Sequence, residues 1–210
     1  DGPPDLWVVK READGWSAAV PLPEPINSPA GEYYPVVVGD GSLYFVSDRF
    51  GGLGNADVYR AQRTDDGSFE DPVNIGPPVN SEFLEGDTFV APDESYLIVS
   101  SRRPDSLGQS DLYLSRREAT GAWSEPANLG PQINTEFTDF CPMVTPDGRF
   151  LFFSRRLGTS WKDTPDTQIY WVDAAVLERP LSEEEIVRSL AGQFSSGQIG
   201  GSILFWSDAE

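Results

Sequence analysis

The chain has 210 residues, 39% hydrophobic and 12% aromatic, enough for a substantial core as one domain or a small repeat array. Its formal net charge of −19, from 34 acids against 15 bases, argues against nucleic acid and anionic membrane surfaces as partners. With no histidine and a single cysteine, Cys141, it excludes Ser-His-Asp and Cys-His nucleophile systems in their usual form, His-ligated metals and an internal disulfide.

In chain order, the first element, Asp5-Leu6-Trp7-Val8-Val9, reads as a strand in the middle of a unit, with Trp16 toward an outer edge. The next unit is complete. Pro35-Val36-Val37-Val38 predicts an inner strand, Gly39-Asp40-Gly41 a turn, and Leu43 to Ser47 a second strand apolar enough to be buried on both faces. The Gly-rich loop Arg49 to Gly54 leads to a third strand opening at Asp57-Val58-Tyr59. An outer strand over Phe69 to Val73 carries Pro72, which a sheet edge tolerates.

The following unit repeats this with a turn at Pro92-Asp93-Glu94, a third strand from Asp111-Leu112-Tyr113 and an outer strand at Trp123-Ser124-Glu125-Pro126. Another opens at Asp139-Phe140-Cys141-Pro142, turns at Pro146-Asp147-Gly148 and continues through Gln168 to Val172. In Phe140 to Val144 the thiol of Cys141 is expected to be buried and inert. The linker then changes character: Ser182 with Glu185 forms a capping box, which predicts a short rim helix near 183–190. Last comes Ile203 to Ser207, a match to Leu43 to Ser47.

The serines ending the four second strands, Ser47, Ser100, Ser154 and Ser207, stand 53, 54 and 53 residues apart. A fixed period of several short strands each is the signature of an all-β fold, a β-propeller of four-stranded antiparallel blades. The expectation is one domain over 1–210 with four blades, closed by pairing N- and C-terminal strands. The alternative is part of a five- to seven-bladed ring. No apolar run approaches the roughly 18 residues of a membrane-spanning helix, so membrane insertion is not expected.

Pro-x-x-x-Pro-Asp-Gly before an apolar strand (Pro142 to Gly148), then Ser-x-Arg (Ser100 to Arg102, Ser154 to Arg156) and Asp-[Ile/Leu/Val]-Tyr (Asp111 to Tyr113) resembles the TolB-like or WD-repeat-like bacterial propellers. Gly51 to Tyr59 is similar to exported members of that family. The resemblance implies a periplasmic or extracellular location and a role in protein contact. Oligogalacturonate lyases share the fold but use histidine at a metal, which this chain lacks.

Candidate ligand-binding residues follow from the inner-strand starts. Glu32, Glu85 and Asp139 would ring the channel mouth with Tyr33, Tyr34, Asp87 and Phe140 beside them, and Gln193-Phe194 in the last unit. Such a ring suits a cation or a polyhydroxylated ligand stacked on aromatic faces; the bland reading is acids that cap strand ends in solvent. Calcium remains open as a cofactor, through backbone carbonyls, with no metal-ligand motif in the sequence. Arg49 with Asp57, and Arg102 with Asp111, recur in step and are expected to form structural ion pairs. Arg156 meets Gln168, and Ala209 precedes Asp5, so the pattern lapses there. Five of the six tryptophans fall on strand positions where packing between blades is expected. Trp161 stands in the insert 158–164 as a candidate contact residue.

The expected function is a non-catalytic binding or interaction module with a protein or carbohydrate partner at the channel mouth and loops. The alternative is a carbohydrate-active enzyme, a glycoside hydrolase or lyase, using mouth carboxylates. A third reading is a structural domain with no site of its own.

Overall fold

The computed structural model describes residues 2–158 and 166–179. Its architecture is all-β and antiparallel, with one short 3₁₀ turn at Ala174–Leu177. The chain opens with β1 (Trp7–Val8) paired to β4 (Val20–Pro21), and between them a small hairpin of β2 (Arg11–Glu12) and β3 (Gly15–Trp16).

Two four-stranded sheets follow, each laid down strand by strand from the inside outward. The first is β5 (Glu32–Val37), β6 (Leu43–Ser47), β7 (Asp57–Ala61) and β8 (Val73–Asn74). The second is β9 (Glu85–Val90), β10 (Tyr96–Ser101), β11 (Asp111–Arg116) and β12 (Ala127–Asn128). A third sheet has three described strands, β13 (Thr138–Val144), β14 (Phe150–Arg156) and β15 (Thr167–Asp173). Inner strands pack against one another, β5 on β9 and β9 on β13, so successive sheets stand side by side like blades. The rim helix expected near 183–190 and the strand expected at 203–207 lie outside the described residues, as does Trp161.

The all-apolar second strands are explained by this stacking. Side chains alternate between faces of a strand, and both faces of β6 meet another layer. Leu43 and Phe45 join Leu6, Ile26 and Tyr59 on one side. Tyr44 and Val46 join Val58, Leu97, Val99 and Tyr113 on the other. Ile98 then faces the third sheet with Leu112, Ile133, Leu151 and Phe153. Each large side chain so buried contributes about 1.5–3 kcal/mol of transfer free energy. Opposite Val37, Val90 and Val144 stand Leu43, Leu97 and Leu151, so the second strands repeat every 54 residues while the inner strands step by 53 and then 54. The register makes Ser101, not Ser100, the equivalent of Ser47, since each stands opposite the acid that opens its sheet.

The tryptophans divide. Trp123 is buried and Trp171 meets Phe150 edge-on at 5.1 Å between ring centroids. Trp7 and Trp16, expected to pack between blades, are both 58% exposed; each lies in a separate two-stranded sheet, β1 with β4 and β2 with β3.

Candidate functional site at the inner-strand ends

All three inner strands begin at the same end of the molecule, and there the acids Glu32, Glu85 and Asp139 lie fully buried rather than ringing an open mouth. Each is closed into a knot of repeated design. The hydroxyls of Ser28, Ser81 and Thr135, four residues upstream, donate to them at 2.6, 2.6 and 3.0 Å, and the backbone N–H groups of the same residues donate as well. A guanidinium then neutralises each acid: Arg49 to Glu32 at 3.1 Å, Arg103 to Glu85 at 3.4 Å, Arg155 to Asp139 at 2.7 Å. The same arginines donate at 2.6 Å to the carbonyls of Ile26, Val79 and Ile133 in the linkers. Two of them also lie over stacked cross-strand rings, Arg49 on Phe45 and Tyr59, Arg155 on Phe153 and Tyr170.

The next linker residue completes the knot. Asn27, Asn80 and Asn134 each clasp both backbone groups of one residue in the preceding unit, Leu6, Val58 and Leu112, at 2.8–3.0 Å. Leu6 thus takes the place of Val58 and Leu112, so β1 and β4 correspond to β7 and β8 of the next sheet.

These contacts correct the expected ion pairs. Arg49 pairs with Glu32 and not with Asp57; Arg103, not Arg102, enters the second knot; neither reaches Asp111. The aspartates opening the third strands bind their own loops. Asp57 accepts from the Leu53 N–H and the Asn74 amide, Asp111 from Leu107 and Gly108 N–H and the Asn128 amide. The reason is reach. A residue at the start of the inner strand stands directly across from the end of the second strand, as Glu32 does from Ser47. In the third knot the acid is the shorter Asp139, and the cation sits directly opposite it at Arg155.

A second cluster lies two residues further on. Every inner strand carries a bulge there, between Tyr33 and Val36, opposite Val99 to Ser101, and between Phe140 and Met143. Bulges re-aim side chains, and Tyr34 and Cys141 adopt left-handed backbone, φ 52° and 50°. The three bulged residues are Tyr34, Asp87 and Cys141, close enough to influence one another electrostatically. The Cys141 thiol donates to Asp87 at 2.9 Å, and Ser100 donates to it at 3.4 Å. Burial pushes the Asp87 carboxyl above the usual range, against the hydrogen bonds from Cys141 and Ser100. Burial, then Asp87, raises the Tyr34 phenol to about 12 and drives the Cys141 thiol well up. Cys141 as a residue is exposed, contrary to expectation, but its thiol turns into the cluster onto buried Asp87, which holds it as a neutral donor rather than a thiolate nucleophile.

Of the expected ligand residues, Asp87 therefore belongs to this second cluster. Glu32, Glu85 and Asp139 serve the knots. Tyr33 packs against the core cluster between the first two complete sheets, and Phe140 is half-buried opposite Ser154. Sequence reading missed Tyr34 and Cys141 as partners of Asp87, although Pro35 and Pro142, each directly after a bulged residue, signal an interrupted ladder. No cluster of three or more metal-ligating side chains occurs among the described residues.

No protein-family profile and no curated protein matches the chain. Among solved structures it is similar to a mutant puromycin hydrolase complexed with PGG, at 16% identity and TM-score 0.47, over 82% of this chain and 26% of that one. It is also similar to an α-L-arabinofuranosidase from Lactobacillus brevis, at 15% identity and TM-score 0.44, over 74% of this chain and 56% of that one. The chain thus spans about a quarter and just over half of the lengths of these two proteins.

Proposed function

We propose that the chain is a non-catalytic recognition module, a TolB-like propeller that holds a protein or carbohydrate partner at its inner-strand end, outside the cytoplasm. In this reading the ring has four blades, with 203–207 joining β1 and β4; a ring of five to seven blades is the alternative. The observation that carries the function is the surface of that end. Phe50 is fully exposed, and Leu53, Leu84 and Leu107 are about half exposed, all on loops or linkers braced by the knots. Leu53 and Leu107 are repeat equivalents whose N–H groups are pinned to Asp57 and Asp111. Large apolar groups kept in water on braced backbone favour docking, because little ordering entropy is lost on contact.

The enzymatic reading needs a carboxylate pair free to act as acid and base. Glu32, Glu85 and Asp139 are each occupied by an arginine and a hydroxyl, which favours binding over hydrolysis. The test is a peptide-display selection and a glycan array, run on the parent chain and on a Phe50→Ser/Leu53→Ser variant, beside an assay for glycoside hydrolysis. Selected partners that lose affinity for the variant are expected. Hydrolysis that survives in the variant and disappears in Asp87→Asn would overturn the reading.

A further inference from the structure

The second knot uses only one of two adjacent arginines. Arg103 turns inward, whereas Arg102 is exposed and makes no ion pair or hydrogen bond among the described residues. Its equivalent in the preceding unit is Asp48, which accepts from the Gly31 N–H at 2.7 Å and so braces its own linker. The place therefore does not require a cation in every unit, although the following unit carries Arg156 there. In a chain with 34 acids, an arginine without an internal partner is a group left for a ligand.

Arg102 lines a cleft of about 370 Å³ between the loop entering β7 and the loop entering β11. The cleft has a polar wall of Asn55 and Gln109, equivalent residues of successive units, and an apolar wall of Phe83 and Leu84. Leu84 is 47% exposed, and Glu82 adds one carboxylate at the edge. No hydrogen bond within the described chain uses the side chains of Asn55, Glu82 or Gln109, so donors and acceptors alike are open to a guest. The volume lies at the small end of the range for ligand sites. It suits one residue and part of a second.

We infer that this cleft binds the carboxyl-terminal residue of a peptide, or the free amino acid of the same kind, with an apolar side chain. The α-carboxylate pairs with the Arg102 fork, the side chain lies on Phe83 and Leu84, the amides of Asn55 and Gln109 bond the backbone, and Glu82 accepts from the nitrogen. The assignment rests on the reading of this end as the recognition surface and gives it a substrate class.

Isothermal titration calorimetry of the full chain tests it, with leucyl-leucine, N-acetyl-leucyl-leucine, leucyl-leucine amide and free leucine as probes. The acids are expected to bind. The amide, and Arg102→Gln with the acids, are expected to bind about tenfold more weakly or worse, as loss of a charge-assisted pair dictates, while the melting temperature of Arg102→Gln stays that of the parent. Tighter binding of N-acetyl-leucyl-leucine assigns the site to peptide ends. Tighter binding of leucine, lost in Glu82→Gln, assigns it to free amino acids. No heat from any probe at millimolar concentration, or equal affinity of acid and amide, overturns the inference. If partners selected through Phe50 and Leu53 still bind in that case, the cleft alone fails and the recognition-module reading stands.

Discussion

The thiol of Cys141 donates to the carboxylate of Asp87 at 2.9 Å, tying together the inner strands of two successive sheets through residues that both sit in bulges. Neither residue is placed there by ordinary strand alternation. A buried carboxylate beside a thiol and a phenol costs the fold free energy that an apolar trio would not, so the cluster is where packing has been traded for polarity.

That cost is visible in pH dependence. Burial raises the Asp87 carboxyl above its unfolded value, so the native state holds this proton more tightly. The contribution to stability is then fullest below the ordinary carboxylate pKa and is lost as pH rises through the raised native value. Asp87→Asn removes the charge but not the shape. Its melting temperature should exceed the parent's at pH 8 and converge on it near pH 3, with each 1 kcal/mol appearing as about 2–4 °C. A deficit at pH 8 would mean that the ionised group has a stabilising partner.

The tandem arginines should behave oppositely. Arg103→Gln leaves the buried Glu85 without its cation and should cost about 3 kcal/mol in urea denaturation. Arg102→Gln touches nothing internal and should stay within about 0.5 kcal/mol of the parent. Had the pair Arg102–Asp111 been the structural one, the ranking would reverse.

How far the sequence reached follows from this pair of residues. The 54-residue period, the order of strands within a unit and the double burial of β6, β10 and β14 are all written in apolar runs, turns and their spacing. Those signals are local, and the fold follows them. Which arginine meets which acid depends on register across strands: the slip of Ser100 for Ser101 exchanged Arg102 for Arg103, and in both units the cation reaches the inner-strand acid across from it rather than the third-strand aspartate. The bulge cluster was harder still. A bulge changes which face a residue takes without altering composition, so Tyr34 and Asp87 read only as neighbours of the mouth acids, and Cys141 as a buried thiol in an apolar strand start. The rim helix and the closing strand fall outside the described residues.

The asparagine clasps are the cheapest part of the repeat to test. Asn80→Ala removes the acceptor of the buried Val58 N–H, while the Val58 carbonyl keeps the Ile75 N–H at 3.1 Å. Leaving that N–H unsatisfied should cost about 1–2 kcal/mol, and Asn134→Ala should cost a similar amount at Leu112, whose carbonyl keeps the Leu129 N–H. A loss under about 0.5 kcal/mol at both sites would show that water replaces the clasp.

Core and surface should separate as cleanly. Leu97 is completely buried between the first two complete sheets, and Leu97→Ala should cost about 2–5 kcal/mol. Phe50 stands wholly in solvent, so Phe50→Ser should leave the thermal melt unchanged while weakening any partner held at that end.

The acids opening the inner strands belong to the fold, and the proposed recognition therefore falls to the loops and cleft beside them. A double-mutant cycle on Glu85→Gln and Arg103→Gln, read by urea denaturation at neutral pH, measures that commitment directly. The account predicts a coupling energy of about 1.5 kcal/mol or more, as for residues sharing one buried network. A coupling below about 0.5 kcal/mol would mean the carboxylate is not committed to Arg103, and the inner-strand acids would return as the ligand site.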